Sequence, residues 1–108
     1  MIRVISQYGR AGTTFTLTSS DTATALTVSA LVSGGRKLCA IMLQVVTNNI
    51  KLAFGTPPIQ GAGNLGHLIT KDQLPIYLVG ETLLENLEHI SAESGVHGVM
   101  MITPFYQG

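Results

Sequence analysis

Thr alternates with Phe and Leu in Thr14-Phe15-Thr16-Leu17-Thr18, which sets hydroxyls on one face of a strand and apolar groups on the other. A strand over Arg3 to Ile5 precedes it, and Ser19-Ser20-Asp21 reads as a turn after it. Alternation resumes from Ala25 to Val32, with Leu26, Val28, Ala30 and Val32 in phase, until Ser33-Gly34-Gly35 breaks the pattern. The centre runs from Lys37 to Phe54. Leu38, Ala40, Met42, Gln44 and Val46 share one face, and Cys39, Ile41, Leu43 and Val45 the other. Apolar residues on both faces predict a central strand covered on both sides. Asn48-Asn49 allows either a turn with positive φ or a bulge, and Ile50, Leu52 and Phe54 then share a phase.

Gly55-Thr56-Pro57-Pro58 ends that strand and opens a glycine-rich loop to Gly66. Gly66-His67-Leu68-Ile69-Thr70 predicts a short edge strand, and Lys71-Asp72-Gln73 a turn. Leu74 to Val79 predicts a strand with Pro75 at its start or on an edge. Between residues 81 and 90 two readings stand. Leu83, Leu84, Leu87 and Ile90 fit one face of a short helix; the other reading, a loop through Glu85-Asn86 followed by a strand over Leu87 to Ser91, is preferred. Gly98 to Thr103 is the last predicted strand, and Pro104 is expected to stop its pairing. Seven to eight short antiparallel strands in one domain, 1–108, give an all-β sandwich or jelly-roll-like fold.

Composition narrows the function. Charged residues are 11% of the chain and apolar residues 45%, and six Lys+Arg balance six Asp+Glu. A disordered tail is excluded by that apolar share. Without a basic stripe, a nucleic-acid partner is not expected. No apolar run approaches the roughly 20 residues that a membrane-crossing helix needs. The start, MIRVISQYGR, has no apolar core of a secretion signal, so synthesis in a cytosol-like compartment is expected. The single cysteine, Cys39, excludes an internal disulfide, and its apolar neighbours suggest a buried, inert thiol. Zero net charge suits a protein whose surface is covered by partners, and a homo-oligomer is expected, a trimer before a pentamer.

Candidate chemistry is thin. His67, His89 and His97 match no compact metal-ligand spacing. No Gly-x-Ser-x-Gly elbow supports a nucleophile. Glu81, Glu85, Glu88 and Glu93 read as a solvated face rather than a facing carboxylate pair. Gly61-Ala62-Gly63-Asn64-Leu65-Gly66 spells the dinucleotide fingerprint, but Pro57-Pro58 replaces the strand before it and no helix opens within it. No catalytic, cofactor-binding or metal-binding residue is assigned. A cupin-type metal enzyme would need two or three of the histidines on facing strands.

The segment Val45-Val46-Thr47-Asn48-Asn49-Ile50-Lys51-Leu52-Ala53-Phe54-Gly55 resembles an apolar strand–Asn–apolar strand–aromatic-Gly unit of small virion structural proteins of bacteriophages. Gly66-His67-Leu68-Ile69, Leu74-Pro75-Ile76-Tyr77-Leu78, His89-Ile90-Ser91 and Gly98-Val99-Met100-Met101-Ile102-Thr103 continue the likeness. It covers residues 38–105. The resemblance implies a non-enzymatic β-sandwich that cements or decorates a capsid, or serves as a minor capsid protein. Its partners would be the major capsid protein or other virion proteins, and its place the virion. No site residues carry over. The other reading is a carbohydrate-binding β-sandwich module with a receptor-binding or adaptor role, for which Tyr8, Tyr77 and Tyr106 are the only tyrosines.

Phe105 and Tyr106 are adjacent aromatics beyond the expected end of the last strand. Aromatics are enriched in interface cores. Phe105 and Tyr106, with Tyr8 and Arg10, are therefore the candidate subunit contacts. Folding of Phe105 back onto the sandwich is the competing expectation.

Overall fold

The computed structural model describes residues 10–26 and 36–107. The expected strand at Arg3 to Ile5, the stretch Val28 to Val32 and Tyr8 lie outside them. Nine strands and one helical turn follow in order: β1 (Arg10–Ala11), β2 (Phe15–Thr18), β3 (Thr24–Ala25), β4 (Leu38–Thr47), β5 (Ile50–Phe54), β6 (His67–Ile69), β7 (Ile76–Val79), α1 (Glu81–Glu85), β8 (Leu87–Ser91) and β9 (Val99–Tyr106). They form two antiparallel sheets packed face to face. Sheet A has the order β1-β9-β4-β7, with β2 also on β9; sheet B has the order β3-β8-β5-β6.

The order has a simple logic. β5 pairs with β6, β4 with β7, β3 with β8, and β1 and β2 with β9. These are nested partners of one long hairpin, folded over so that alternate pairs fall in opposite sheets. The cross-links β4–β9 and β5–β8 close each sheet. An eight-strand path, with β1 and β2 as one interrupted strand, is a jelly roll.

Period-two alternation then decides the core. Ile41, Leu43 and Val45 of β4 meet Ile50 and Leu52 of β5 between the sheets, all almost fully buried. Each such side chain contributes roughly 1.5–3 kcal/mol by leaving water. Bulges modify the alternation in β4. The one at Cys39 turns Leu38 inward and puts Ala40, itself fully buried, on the opposite face of the sheet, so the expected shared face of Leu38 and Ala40 is lost. Cys39 is half-buried rather than buried, its Sγ 3.7 Å from the Lys37 carbonyl. β4 is central in its sheet, but its outer face is not covered along its length: Gln44 and Val46 are exposed.

Asn48 has φ +57°, and here the chain leaves sheet A for sheet B, which resolves the turn-or-bulge choice in favour of the turn. In 81–90 both expectations are half right. One turn, α1, inserts Leu84 into the core. Asn86 ends it, its side-chain amide donating to the Thr82 carbonyl at 2.9 Å. From Leu87 the five-residue ladder to β5 outweighs further helix, and Leu87, His89 and Ser91 point inward.

Strand β9 corrects the expectation about Pro104. Pairing continues past it: Ile41 faces Pro104, Ala40 faces Phe105 and Leu38 faces Tyr106. The Pro104 carbonyl accepts from Gly12 N at 2.8 Å, so the missing N–H of Pro104 points to the same side. On that side β1 and β2 are interrupted at residues 12–14. The proline therefore forfeits no bond to β4. Gly12 is required there: a Cβ would stand 2.6 Å from the Tyr106 ring.

Candidate functional site

The outer face of sheet A is the most distinctive surface. Register places Met42 and Gln44 of β4, Tyr77 and Val79 of β7, and Met101 and Thr103 of β9 on it. Val46, Tyr77, Val79 and Met101 are each 43–50% exposed. Thr16 and Thr18 of β2 add hydroxyls, and Thr14 Oγ1 lies 2.6 Å from Thr103 Oγ1. Among the described residues, no charged side chain occupies an outward position of β2, β4, β7 or β9. The face can exclude water against a complementary partner without stripping charges of their hydration.

The outer face of sheet B is different. Lys51 points outward from β5 yet is only 4% exposed, because residues 55–66 fold over it. Its Nζ donates to the carbonyls of Ile59 and Asn64, each at 3.0 Å, and of Gly61. Three donors meet three acceptors, which allows an ammonium to be buried without a carboxylate. A cavity of about 360 Å³ beside it is lined in part by Asn49, Ala62, Leu68 and Glu93. This arrangement disposes of the glycine fingerprint. A phosphate cradle needs converging N–H groups; here carbonyl oxygens converge, and a cation already holds them.

The histidines separate. His67 on β6 and His89 on β8 flank Leu52 in the same register row. His67 is exposed, its ring 6.5 Å from Phe54. His89 is 3% exposed and its Nδ1 lies 2.7 Å from the buried Ser19 Oγ. Burial holds its imidazole below the usual histidine range. His97 Nδ1 approaches Ser91 Oγ at 3.3 Å. Among the described residues no three His, Cys, Asp or Glu side chains come together as metal ligands. The glutamates disperse as well: Glu81 and Glu85 are on α1, Glu88 on β8 and Glu93 in the β8–β9 connection. Asp21 ties loops instead. Its Oδ1 accepts from Gly95 N and Gln60 Nε2, both at 2.9 Å, and these bonds, the Gly95 one foremost, hold its carboxyl below the usual range.

Of the four candidate contact residues, Arg10 is exposed on β1. Phe105 and Tyr106 are 2% and 8% exposed, with Tyr106 in the central cluster and Phe105 6.1 Å from the Tyr77 ring. Their area is thus buried within this chain. Sequence reasoning missed Lys51, although its phase opposite Ile50 and Leu52, just before a glycine-proline loop, signals a lysine that the loop could cover. It also missed the Ser19–His89 pair, which only the pairing of distant strands creates. No helix among the described residues is long and apolar enough to cross a membrane. Comparison with protein-family models, with curated proteins and with solved structures gives no match.

Proposed function

We propose that this chain is a non-enzymatic virion structural protein that binds and stabilises a capsid shell, as a cement, decoration or minor capsid protein. The observation that carries the reading is the half-apolar outer face of sheet A, where no described residue of β2, β4, β7 or β9 is charged. The jelly-roll strand order supports it by analogy of fold, since such double sheets build viral capsid and lectin domains. The partners are the major capsid protein or other virion proteins, and a further copy of the chain in a homo-oligomer, a trimer being favoured. The protein is made in the host cytoplasm and ends in the particle. A carbohydrate-binding module is the weaker reading, because Tyr106 is buried and Tyr77 is the one tyrosine among the described residues that is exposed.

Quantitative mass spectrometry of purified particles tests the proposal. Stoichiometric copies per shell subunit are expected. Absence from particles, or only a few copies each, would sink the cement role, and competable binding on a glycan array would replace it with the second reading.

A further inference from the structure

Ser19 follows β2, at the point where the chain crosses from sheet A to β3 of sheet B. Ser19 is 2% exposed and its Oγ meets His89 Nδ1 at 2.7 Å. His89 Nε2 is buried and has no hydrogen-bond partner. In either neutral tautomer Nδ1 is served by Ser19 and Nε2 is left buried without a protein partner, in the row of Leu52 on the adjacent strand. Among the described residues the crossover is also held by Ser19 N to the Gly98 carbonyl, Ser91 N to the Ser20 carbonyl, Leu26 N to the Leu87 carbonyl, and the two bonds that Asp21 Oδ1 accepts from Gly95 N and Gln60 Nε2. β3 itself is two residues long, and its Thr24 lies directly beside His89.

From this geometry we infer that His89 and Ser19 form an acid-sensitive latch on the β2–β3 crossover. Neutral His89 keeps the crossover seated. A second ring proton puts a charge where no acceptor waits, and lifting the short edge strand β3 gives the ring water.

Among the described residues no charged group compensates. On β8 itself, Glu88 lies on the opposite face. On β5, Lys51 is also on the opposite face and bound to carbonyls. β3 has only Thr24 and Ala25. In the crossover, Asp21 is turned to Gly95 and Gln60, and in the β8–β9 connection Glu93 is exposed and His97 rests on Ser91. In sheet A, β2 contributes no titratable residue, and the inward side of β9 only Tyr106. Burial lowers the affinity of closed His89 for a proton. The open form therefore binds more protons as pH falls below about 6.5, the ordinary histidine value, and the latch weakens from there toward the lowered closed-state value. Above that range its contribution is complete. This inference is independent of the virion reading.

The test is amide hydrogen exchange of the whole chain from pH 7 to pH 5, corrected for intrinsic rates, with the His89 ring followed by NMR. Protection at Ser19, Leu26 and Ser91 should fall roughly 25-fold if closed His89 stays neutral, from the proton-linkage relation with an open-state value near 6.5. Protection along β4–β9 should hold. His89→Gln should abolish the fall and His97→Gln should keep it. Should His89→Gln fail to fold, the wild type decides: the loss of protection must track the His89 ring titration. Unchanged protection, equal loss along β4–β9, loss that does not follow the ring, persistence in His89→Gln or disappearance in His97→Gln each overturns the latch.

Discussion

The two outer faces of the sandwich solve one problem in opposite ways. Sheet B covers Lys51, at the centre of its outer face, with its own chain, the 55–66 loop, fastened by the Lys51 ammonium to three carbonyls, while Leu68 on the neighbouring strand stays half-exposed. Sheet A leaves Val46, Val79 and Met101 half-exposed; among the described residues its strands β2, β4, β7 and β9 carry no charge, and Lys37 and Glu81 stand at its rim, lining a cavity with Val79. A face closed by the chain itself needs a buried polar anchor to fix a loop that lacks regular structure. A face left apolar and uncharged is suited to closure by another molecule. In a protein with 11% charged residues, the position of the few charges is thus the main record of which surface is complete.

The most damaging way to break this contrast is to remove the interior that both faces share. Leu43→Asp puts a carboxylate at a 1% exposed position on β4 and is expected to cost several kcal/mol, enough to prevent folding. A retained melting transition in calorimetry would show that the core is elsewhere. Deleting residues 104–108 comes next. Loss of Phe105 and Tyr106 removes two buried aromatics, and truncations of this kind cost about 3–5 kcal/mol for one ring. Urea unfolding of the isolated protein measures it; an unchanged midpoint would make the end of β9 a docking element instead.

Lys51→Met sharpens the contrast on sheet B alone. It keeps the stem and removes the donors, leaving three carbonyls without their cation. We expect about 1–3 kcal/mol of destabilisation, with faster amide exchange at Ile59, Gly61 and Asn64. Equal exchange in mutant and wild type would mean that the loop holds itself. The smallest effect on the fold belongs to sheet A. Val46→Glu with Met101→Glu should change the stability of the isolated chain by no more than about 0.5 kcal/mol per site. The same pair should abolish self-association and shell binding in sedimentation assays. Undiminished binding would move the contact surface away from this face.

Much of this was legible in the sequence because strand faces follow from a period of two, and the core residues Ile41, Leu43, Ile50 and Leu52 fell on the faces that their phases required. Bulges defeat that logic locally, as at Cys39, since one inserted residue changes the phase of everything before it. Pro104 was misjudged because its cost depends on what lies opposite its nitrogen, and the gap between β1 and β2 is a property of two distant segments. Residues 81–90 satisfied two periods at once, and only the ladder to β5 settles where the helical turn stops. The buried histidine was visible as a residue but not as a site: its serine partner stands seventy positions away.

The nesting of strand partners sets an order of events as the chain folds. Leu52 faces His67 across a short loop, Leu43 faces Ile76 across a longer one, Thr24 faces His89, and Thr18 faces Val99 near the two extremes. Closing the innermost loop first shortens the effective loop for every later pair, so assembly inward to outward costs the least chain entropy at each step. Contacts so distant in sequence place folding in the millisecond-to-second range. On the ribosome, β9 is made after every other described strand, and among the described residues it is the strand that joins β4 to β1 and β2. Until it emerges, one hydrogen-bonding edge of β4 stays open, and any chaperone that meets this chain can pair with it there.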